Sequence, residues 1–188
     1  MDRTNFERLL KEGFFESSPK PVSVRPSTRS AENSTAPGAT NLAALCPETN
    51  DRYAWTDIGN GNLFADWYEN KARYVPERKR WYIYNGRVWE PDSGNLKAME
   101  LCKDLADALA VYALSIQDEK QRIEYQAHVG KWQRRNNRET ILKDAASVHP
   151  VSMTEFDQDP YLFNCKNGTL DLRTREFRAH SPGDLLAT

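Results

Sequence analysis

This chain of 188 residues has little of what disulfide scaffolds and zinc sites require. Its three cysteines, Cys46, Cys102 and Cys165, lie far apart without a Cys-x-x-Cys spacing, and an odd number cannot form a complete set of disulfides. We therefore expect reduced thiols. The three histidines are isolated in the sequence, so a zinc site would have to be assembled entirely from distant positions.

Long apolar runs and a strong net charge are also absent. No run approaches the roughly eighteen residues of a membrane-spanning helix, and the polar start at Met1–Asn5 does not fit a signal peptide. These features predict a cytoplasmic protein with no membrane contact. The formal net charge is −1, so the chain as a whole is not an obvious binder of polyanions.

Motifs for catalysis are equally sparse. No Gly-x-x-x-x-Gly-Lys-Ser/Thr run occurs, so the sequence lacks a phosphate-binding loop of that type. Asp157 and Asp159 have the spacing of paired metal-binding carboxylates in nucleotidyl transferases and nucleases. An Asp-x-Asp before Pro160 is also ordinary turn chemistry, and no third carboxylate or histidine completes a site by spacing. We predict no catalytic residue, no metal and no cofactor in this chain.

Composition divides the chain into three parts. Within residues 1–16, apolar side chains recur at roughly helical spacing at Phe6, Leu9, Leu10 and Phe14, which predicts a short helix. Residues 17–51 are rich in Ser, Pro, Thr, Ala and Asn, which predicts a flexible linker that buries too little apolar surface to fold alone. We expect one folded domain over residues 52–188.

The residue pattern of this domain predicts an α+β fold, a central helical bundle flanked by small antiparallel hairpin elements. Helices are predicted over about 60–71, from Leu96 to Ile116, from Ile123 to near Asn137, and from Thr140 to Val148. Strands are predicted over 73–75, 80–84 and 87–89, and again over 161–165, 169–172 and 176–178. Asn85-Gly86 and Asn167-Gly168 indicate tight type I′ turns, in which glycine takes a positive φ.

Positive charge is concentrated in two stretches, one in the first predicted sheet and one around Trp132. The predicted nucleic-acid-binding residues are Arg73, Arg78, Lys79, Arg80, Arg87, Lys131, Trp132, Arg134, Arg135 and Arg138. Aromatic residues lie among these cations: Tyr74, Trp81, Tyr82, Tyr84 and Trp132. A single-stranded nucleic acid groove uses cations for phosphates and aromatic faces for bases. The alternative is that the aromatic residues form the core and the cations its solvated rim.

Three segments carry a more specific pattern. They are Thr56-Asp-Ile-Gly-Asn-Gly-Asn62, Trp81-Tyr-Ile-Tyr-Asn-Gly-Arg-Val-Trp89, and the stretch from Tyr161 to His180 with Asn164-Cys-Lys-Asn-Gly-Thr-Leu-Asp-Leu-Arg173 within it. In this order and spacing they resemble the domain that precedes the superfamily 3 helicase motor in phage and plasmid primase-helicases. That family includes satellite-phage type primases and the poxvirus primase-helicase. The resemblance spans roughly Trp55 to Thr188.

The resemblance implies a non-catalytic adaptor or collar that acts in DNA replication and couples a primase to a hexameric helicase. Its implied partners are the primase and helicase parts of the parent protein and single-stranded DNA, whereas ATP and Mg²⁺ are implied only for the helicase part. Because the primase and Walker motifs of relatives are missing from this sequence, we expect it to be a fragment; the alternative is a decayed or stand-alone gene product. The alternative function is a purely structural protein–protein assembly domain without DNA contact.

Overall fold

A computed structural model of the protein describes residues 41–187. These residues form five α-helices and two three-stranded antiparallel sheets, so the predicted α+β class is confirmed. The helices are α1 (Leu42–Leu45), α2 (Asp57–Trp67), α3 (Leu96–Ala113), α4 (Glu119–Val129) and α5 (Arg135–Ala145). The strands are β1 (Ala72–Val75), β2 (Arg80–Tyr84), β3 (Trp89–Pro91), β4 (Leu162–Cys165), β5 (Gly168–Asp171) and β6 (Glu176–Arg178). The predicted helix over residues 1–16 and most of the predicted linker lie outside the described residues.

The segment before α2 belongs to the folded unit. The side chain of Asn41 caps α1 by accepting a hydrogen bond from the backbone of Ala43 at 3.0 Å. Leu42 is buried in the helical core, and Glu48 accepts a hydrogen bond of 2.7 Å from the hydroxyl of Tyr112 on α3. Residues 41–51, which composition assigned to the linker, therefore pack against the domain.

Helix α2 begins earlier than predicted because Thr56 caps it, accepting a hydrogen bond from the backbone of Gly59 at 3.2 Å. Glycines normally weaken a helix, but here they permit close packing. A Cβ at Gly59 would lie 1.9 Å from the carbonyl oxygen of Ala54, and one at Gly61 would lie 2.7 Å from the Cβ of Asp144. The glycines therefore let α2 approach α5 and the preceding turn.

The helical core is built from one side of each long helix. On α3 the buried positions are Ala98, Cys102, Leu105, Ala106, Leu109 and Ala113, a spacing of threes and fours. On α4 the buried side chains are Tyr125, His128 and Val129, whereas Ile123, at which the predicted helix begins, is 58% exposed. The helical spacing that predicted α3 is thus confirmed, and on α4 the apolar positions are divided between core and surface.

The predicted helix from Ile123 to near Asn137 is two elements. Helix α4 ends at Val129, a 3-10 turn covers Gly130–Gln133, and α5 begins at Arg135. The guanidinium of Arg138 donates to the carbonyl oxygens of Trp132 at 2.9 Å and Gln133 at 2.6 Å. These bonds satisfy carbonyls that a continuous helix would have paired internally.

The first sheet, in the order β1-β2-β3, is covered on both faces. On one face, Trp81 and Ile83 of β2 join the helical core. On the other, Tyr82 and Tyr84 pack with a second cluster that includes Phe156. Alternating side chains of a strand point to opposite faces, so a strand covered on both sides shows no polar alternation, in agreement with the run Trp81-Tyr-Ile-Tyr84.

The tight turn predicted at Asn85-Gly86 is wrong. The side chain of Asn85 accepts hydrogen bonds from the backbones of Arg87 at 2.8 Å and Val88 at 2.9 Å, which holds a four-residue loop. Strand β3 consequently starts at Trp89, paired with Tyr84, and not at Arg87.

The second sheet, in the order β4-β5-β6, confirms three predicted strands within one or two residues. Its first turn lies at Lys166-Asn167, because Cys165 pairs directly with Gly168. Gly168 does not have a positive φ, so the predicted reason for this glycine is wrong. A Cβ there would lie 2.5 Å from the carbonyl oxygen of Arg178 and 2.6 Å from the ring of Phe177. Close approach within the sheet requires the glycine.

Among residues 41–187, no helix combines the length and apolar character needed to cross a membrane.

Candidate nucleic-acid interface

Most of the predicted nucleic-acid-binding residues are exposed. The exposed ones are Arg78, Lys79, Arg80, Arg87, Lys131, Arg134 and Arg135. Arg73 is half-buried and forms an ion pair of 3.1 Å with Glu69, which lies four residues earlier in the chain. The structure therefore leaves seven of the ten predicted residues free to meet solvent.

The exposed cations of the first sheet lie near the two opposite ends of strand β2. Arg78 and Lys79 form the connection between β1 and β2, where Lys79 adopts a left-handed conformation with φ of 51°. Arg80 opens β2, and Arg87 lies in the loop that follows the other end of this strand. A five-residue strand spans roughly 16 Å, so Arg87 does not belong to the same local cluster as Arg78–Arg80.

Two predicted contact residues are buried, which corrects the sequence-based prediction. Trp132 is 1% exposed and Arg138 is 8% exposed. The indole of Trp132 therefore has no surface on which a base can stack, and the guanidinium of Arg138 serves carbonyls of the preceding turn. Trp81, Tyr82 and Tyr84 are also buried, at 3%, 7% and 8% exposure. The core interpretation is correct for these aromatic side chains.

A groove of about 580 Å³ lies between the first sheet and the helices α3 and α5. Its lining residues are Tyr74, Trp81, Gly94, Asn95, Leu96, Met99, Glu100, Lys103, Arg135, Arg138, Glu139, Leu142, Lys143 and Ala146. The groove brings Tyr74 and Trp81, from the first basic stretch, next to Arg135 and Arg138 from the second. The two stretches are far apart in the sequence, and tertiary packing brings these residues together.

The groove has an apolar floor and a charged rim. Tyr74 is half-buried and packs edge-on against Trp81, with ring centroids 5.6 Å apart, so part of the tyrosine ring faces the groove. On the rim, Lys103 pairs with Glu100 at 2.6 Å and Arg135 pairs with Glu139 at 2.8 Å. Each of these two rim cations is therefore already paired with a carboxylate.

Two cations of the groove are not neutralised by carboxylates. Lys143 is exposed, and no ion pair to it occurs among residues 41–187. The Nε of Arg138 is buried and has no hydrogen-bond partner within the described part of the chain. Lys103 and Lys143 are groove cations outside the ten predicted residues. Lys103 also lies outside both basic stretches, and a lysine on the polar side of a predicted helix carries no signal of its own. Its position three residues after Glu100 indicates only a helix-surface pair.

Away from the groove, a partly buried carboxylate ties the early segment to the domain. Asp66 on α2 accepts hydrogen bonds from Arg52 at 2.6 and 2.9 Å, from the hydroxyl of Tyr53 at 2.9 Å, and from the Nε2 of His149 at 2.7 Å. Burial alone would raise the pKa of Asp66, but the hydrogen bonds from Arg52, His149 and Tyr53 outweigh it and lower this pKa to about 2. Asp66 is therefore ionised and structural.

A second polar pair is buried inside the helical core. The ring Nε2 of His128 lies 3.0 Å from the side-chain oxygen of Asn60, and the ring stacks on Trp55 at 5.4 Å. Because the amide oxygen can only accept, the imidazole donates this bond. Burial, assisted by the nearby Lys131, lowers the pKa of His128 to about 4. The histidine is neutral at physiological pH.

The side chains of Asp157 and Asp159 both accept hydrogen bonds from the backbone. Asp157 accepts a hydrogen bond from the backbone of Ala187 at 3.0 Å, and Asp159 accepts one from the backbone of Tyr161 at 3.0 Å and pairs with Arg173. Within residues 41–187 no group of three His, Cys, Asp or Glu side chains lies together in a metal-binding arrangement. The turn interpretation is correct for Asp159, whereas Asp157 bonds to the backbone of a residue thirty positions away in the chain.

Comparison with known proteins shows the family to which this chain belongs. The family model described as D5 N terminal like matches residues 61–188, which include both sheets, helices α3–α5 and every residue that lines the groove. No curated protein matches the chain at a significant level.

Proposed function

Because the chain belongs to the D5 N terminal like family, the domain that precedes the superfamily 3 helicase in phage and plasmid primase-helicases, we propose that it is a non-catalytic adaptor in DNA replication. In this proposal it couples the primase part of a parent protein to the helicase part and contacts single-stranded DNA. The parent is a cytoplasmic hexamer, and ATP and Mg²⁺ belong to its helicase part.

The observation that supports DNA contact is the groove between the first sheet and α5. Its volume of about 580 Å³ lies in the range of small-ligand sites and is adequate for a nucleotide. A base that enters would meet the exposed part of the Tyr74 ring, while its phosphates would lie near Lys143 and Arg135 on the rim. A base can enter such a groove only when it is unstacked and unpaired, which favours a single strand over a duplex.

The charges of the groove set the strength of this interaction. Four cations and two carboxylates line it, Lys103, Arg135, Arg138 and Lys143 against Glu100 and Glu139, which leaves a net charge of 4 − 2 = +2. Neutralising about two phosphates of a single strand predicts a slope of roughly −1.4 in a plot of log affinity against log salt concentration. Binding through this groove alone is therefore weak and moderately salt-dependent. The exposed Arg78, Lys79 and Arg80 would add to it if the strand continued along the sheet.

The test is fluorescence anisotropy of the full chain with labelled single-stranded and duplex oligonucleotides at two salt concentrations. We expect tighter binding to the single strand, weakened about tenfold by the double variant Arg135→Ala/Lys143→Ala because two phosphate contacts are lost. Tyr74→Leu should also weaken binding, since stacking contributes about 1–3 kcal/mol per base.

Lys120→Ala is the matched control. Lys120 lies on α4, and its side chain is 86% exposed with only a 4.0 Å contact to Glu124, so its loss changes the net charge without touching the groove. Equal weakening by Lys120→Ala and by Lys143→Ala would indicate a diffuse charge effect and contradict the groove. No binding at low salt would remove DNA contact from the proposal.

The second candidate is a structural assembly domain whose partners are only proteins. The burial of Trp81, Tyr82 and Trp132 favours it, because these side chains fill the core and leave few aromatic faces for bases. The triple variant Arg78→Ala/Lys79→Ala/Arg80→Ala separates the candidates when it is placed in the parent protein. Lost retention of DNA supports the adaptor that contacts DNA, whereas impaired ring formation with unchanged DNA binding supports the assembly domain.

A further inference from the structure

Arg138 on α5 is a buried cation without a carboxylate partner. Among residues 41–187 it is the only lysine or arginine that is buried, at 8% exposure. Its Nη1, which carries two hydrogens, donates to the carbonyl oxygens of Trp132 at 2.9 Å and Gln133 at 2.6 Å. Its Nε is covered and has no partner in this part of the chain. A guanidinium has five N–H donors, so the two on Nη2 remain, and no bond from Nη2 occurs within residues 41–187.

Two arginines that are less buried show the usual way in which such a charge is compensated. Arg73 pairs with Glu69 at 3.1 Å, and Arg178 pairs with Asp184 at 2.7 Å. A buried charge is costly unless it is paired. The lack of an acidic partner at Arg138 is therefore unusual for its degree of burial.

The groups next to Arg138 do not neutralise its charge. Glu139 follows it on the same helix, but this carboxylate pairs with Arg135 at 2.8 Å. Cys102 on α3 lies close enough to interact with the charge of Arg138, yet burial raises the pKa of its thiol to about 12, so the sulfur is uncharged at physiological pH. The two carbonyl oxygens bonded to Nη1 supply only partial charges. The guanidinium is therefore a site for an anion.

Helix α5 places this charge at the groove between the first sheet and α3. Arg138, Leu142 and Ala146 all line the groove and follow one another at a spacing of four residues, which puts them in one row along the helix. Lys143 also lines the groove, is exposed, and forms no ion pair within the described residues. Two cations, one buried and one exposed, thus meet the groove without a counter-charge.

These two unpaired charges distinguish between anions. A terminal phosphate group carries about −1.5 to −2 charge at pH 7 and three acceptor oxygens, whereas a phosphodiester inside a strand carries a single charge. The terminal group therefore matches the two unpaired cations more closely. The groove volume of about 580 Å³ suits one small ligand, and Tyr74 and Trp81 give it an aromatic wall.

We propose that the groove binds the terminal phosphate of a nucleotide at Arg138, with Lys143 at the rim and the base against Tyr74. The inference rests on the proposed function in placing a nucleotide in this groove, but it does not require that the interior of a strand bind there. A free nucleotide and the 5′-phosphorylated end of a single strand share this chemistry. Because Nη1 is bonded to the preceding turn, the guanidinium is held in place before the ligand arrives, which favours affinity.

The test compares ligands with and without a terminal phosphate on the full chain. Isothermal titration calorimetry should show that thymidine 5′-monophosphate binds about tenfold more tightly than thymidine, since hydrogen bonds to a charged group are strong. Inorganic phosphate should compete with the monophosphate. Fluorescence anisotropy compares a 5′-phosphorylated thymidine heptamer with a 5′-hydroxyl octamer, which carry equal numbers of phosphate groups. Tighter binding of the heptamer identifies a strand end as the ligand, and a preference shown by the monophosphate alone identifies a free nucleotide; both results support the proposal.

Two variants test the residues. Arg138→Gln should abolish the preference for the phosphorylated ligand, and far-UV circular dichroism shows whether this variant is folded. Lys143→Ala is the second variant, because its side chain is exposed and the fold does not depend on it. It should weaken binding of the monophosphate about threefold, the scale of an exposed ion pair. Lys120→Ala, on α4 and outside the groove, is the matched control and should leave this affinity unchanged.

Equal binding of the monophosphate and thymidine, together with equal binding of the heptamer and the octamer, overturns the proposal. A phosphate preference that Lys143→Ala and folded Arg138→Gln both retain in full overturns it as well. The octamer separates this inference from the proposed function. An octamer that binds when terminal phosphates have no effect leaves DNA contact intact and refutes the terminal-phosphate site. Binding of the monophosphate without binding of the octamer supports the site and removes DNA contact.

Discussion

Substitution of Asp66 by Asn should lower the stability of the domain, and the effect should disappear in acid. Asp66 accepts four hydrogen bonds, two from Arg52 and one each from Tyr53 and His149. These groups belong to the 3-10 turn before α2 and to the segment after α5. The carboxylate therefore joins three parts of the chain, and an amide at this position removes the charge that Arg52 pairs with.

The magnitude follows from the pKa of Asp66. A change from the ordinary value of 3.8 to about 2 corresponds to roughly 2 kcal/mol, at 1.36 kcal/mol per pKa unit. Because the side chain of Arg52 is 49% exposed, solvent screening reduces the contribution, and we expect about 1–2 kcal/mol. A carboxyl group whose pKa is lower in the folded state stabilises the protein above its unfolded pKa, near 4. This stabilisation is lost as the pH falls through about 2, and roughly half of it is lost by pH 3.

Urea denaturation of wild type and Asp66→Asn at pH 7, 5, 4 and 3 measures this difference in the free energy of unfolding. The two proteins should differ most at pH 7 and 5 and converge below pH 4. Asp104→Asn is the control, since Asp104 is exposed on α3 and forms no hydrogen bond or ion pair within the described residues. A difference between wild type and Asp66→Asn that is constant with pH, or equal to that of Asp104→Asn, would refute the reasoning.

Two further predictions concern the helical core. Gly61→Ala should destabilise the domain by about 2–4 kcal/mol in thermal or urea unfolding, because its Cβ would lie 2.7 Å from that of Asp144. Gly130→Ala should be neutral or slightly stabilising, since Gly130 has helical φ/ψ and nothing lies within 4 Å of a Cβ there; equal losses from both variants would contradict close packing as the cause. An NMR titration of the His128 ring should give a pKa of about 4, and Asn60→Ala should change it by removing the partner of the neutral ring. A titration midpoint near 6.5 would show that the ring is solvated. Because the pKa of His128 is lower in the folded state, its neutral form contributes stability above pH 6.5 that is lost as the pH falls toward 4.

Local pattern was a good guide wherever one side of an element meets the core. The threes-and-fours spacing from Leu96 predicted α3, and the alternating or aromatic runs predicted β2 and the strands of the second sheet. Two of the errors lie where a side chain bonds to the backbone. Asn85 converts a predicted two-residue turn into a four-residue loop, and Arg138 separates α4 from α5 by serving carbonyls of the intervening turn. Such bonds depend on distances that spacing in the sequence does not contain.

The candidate site shows the same division. Sequence alone located most of the cations, because charge and exposure go together for lysine and arginine. It could not tell which aromatic residues remain accessible to solvent. Trp132 and Trp81 are in the core, whereas Phe163 and Phe177 of the second sheet are half-exposed. Burial of a large aromatic depends on what covers it, and the covering residues come from distant parts of the chain.

The amino-acid sequence by itself determined the α+β class, most of the helices and strands, and membership of a family of replication domains. Each of these follows from local periodicity or from the order and spacing of motifs along the sequence. Only the tertiary structure decided that Gly61 permits close packing of two helices and that Asp66 joins three segments. It also decided that Tyr74 lines the same groove as Arg135 and Lys143. These features arise from contacts between residues far apart in the chain, whose geometry is set by the packing of the whole core.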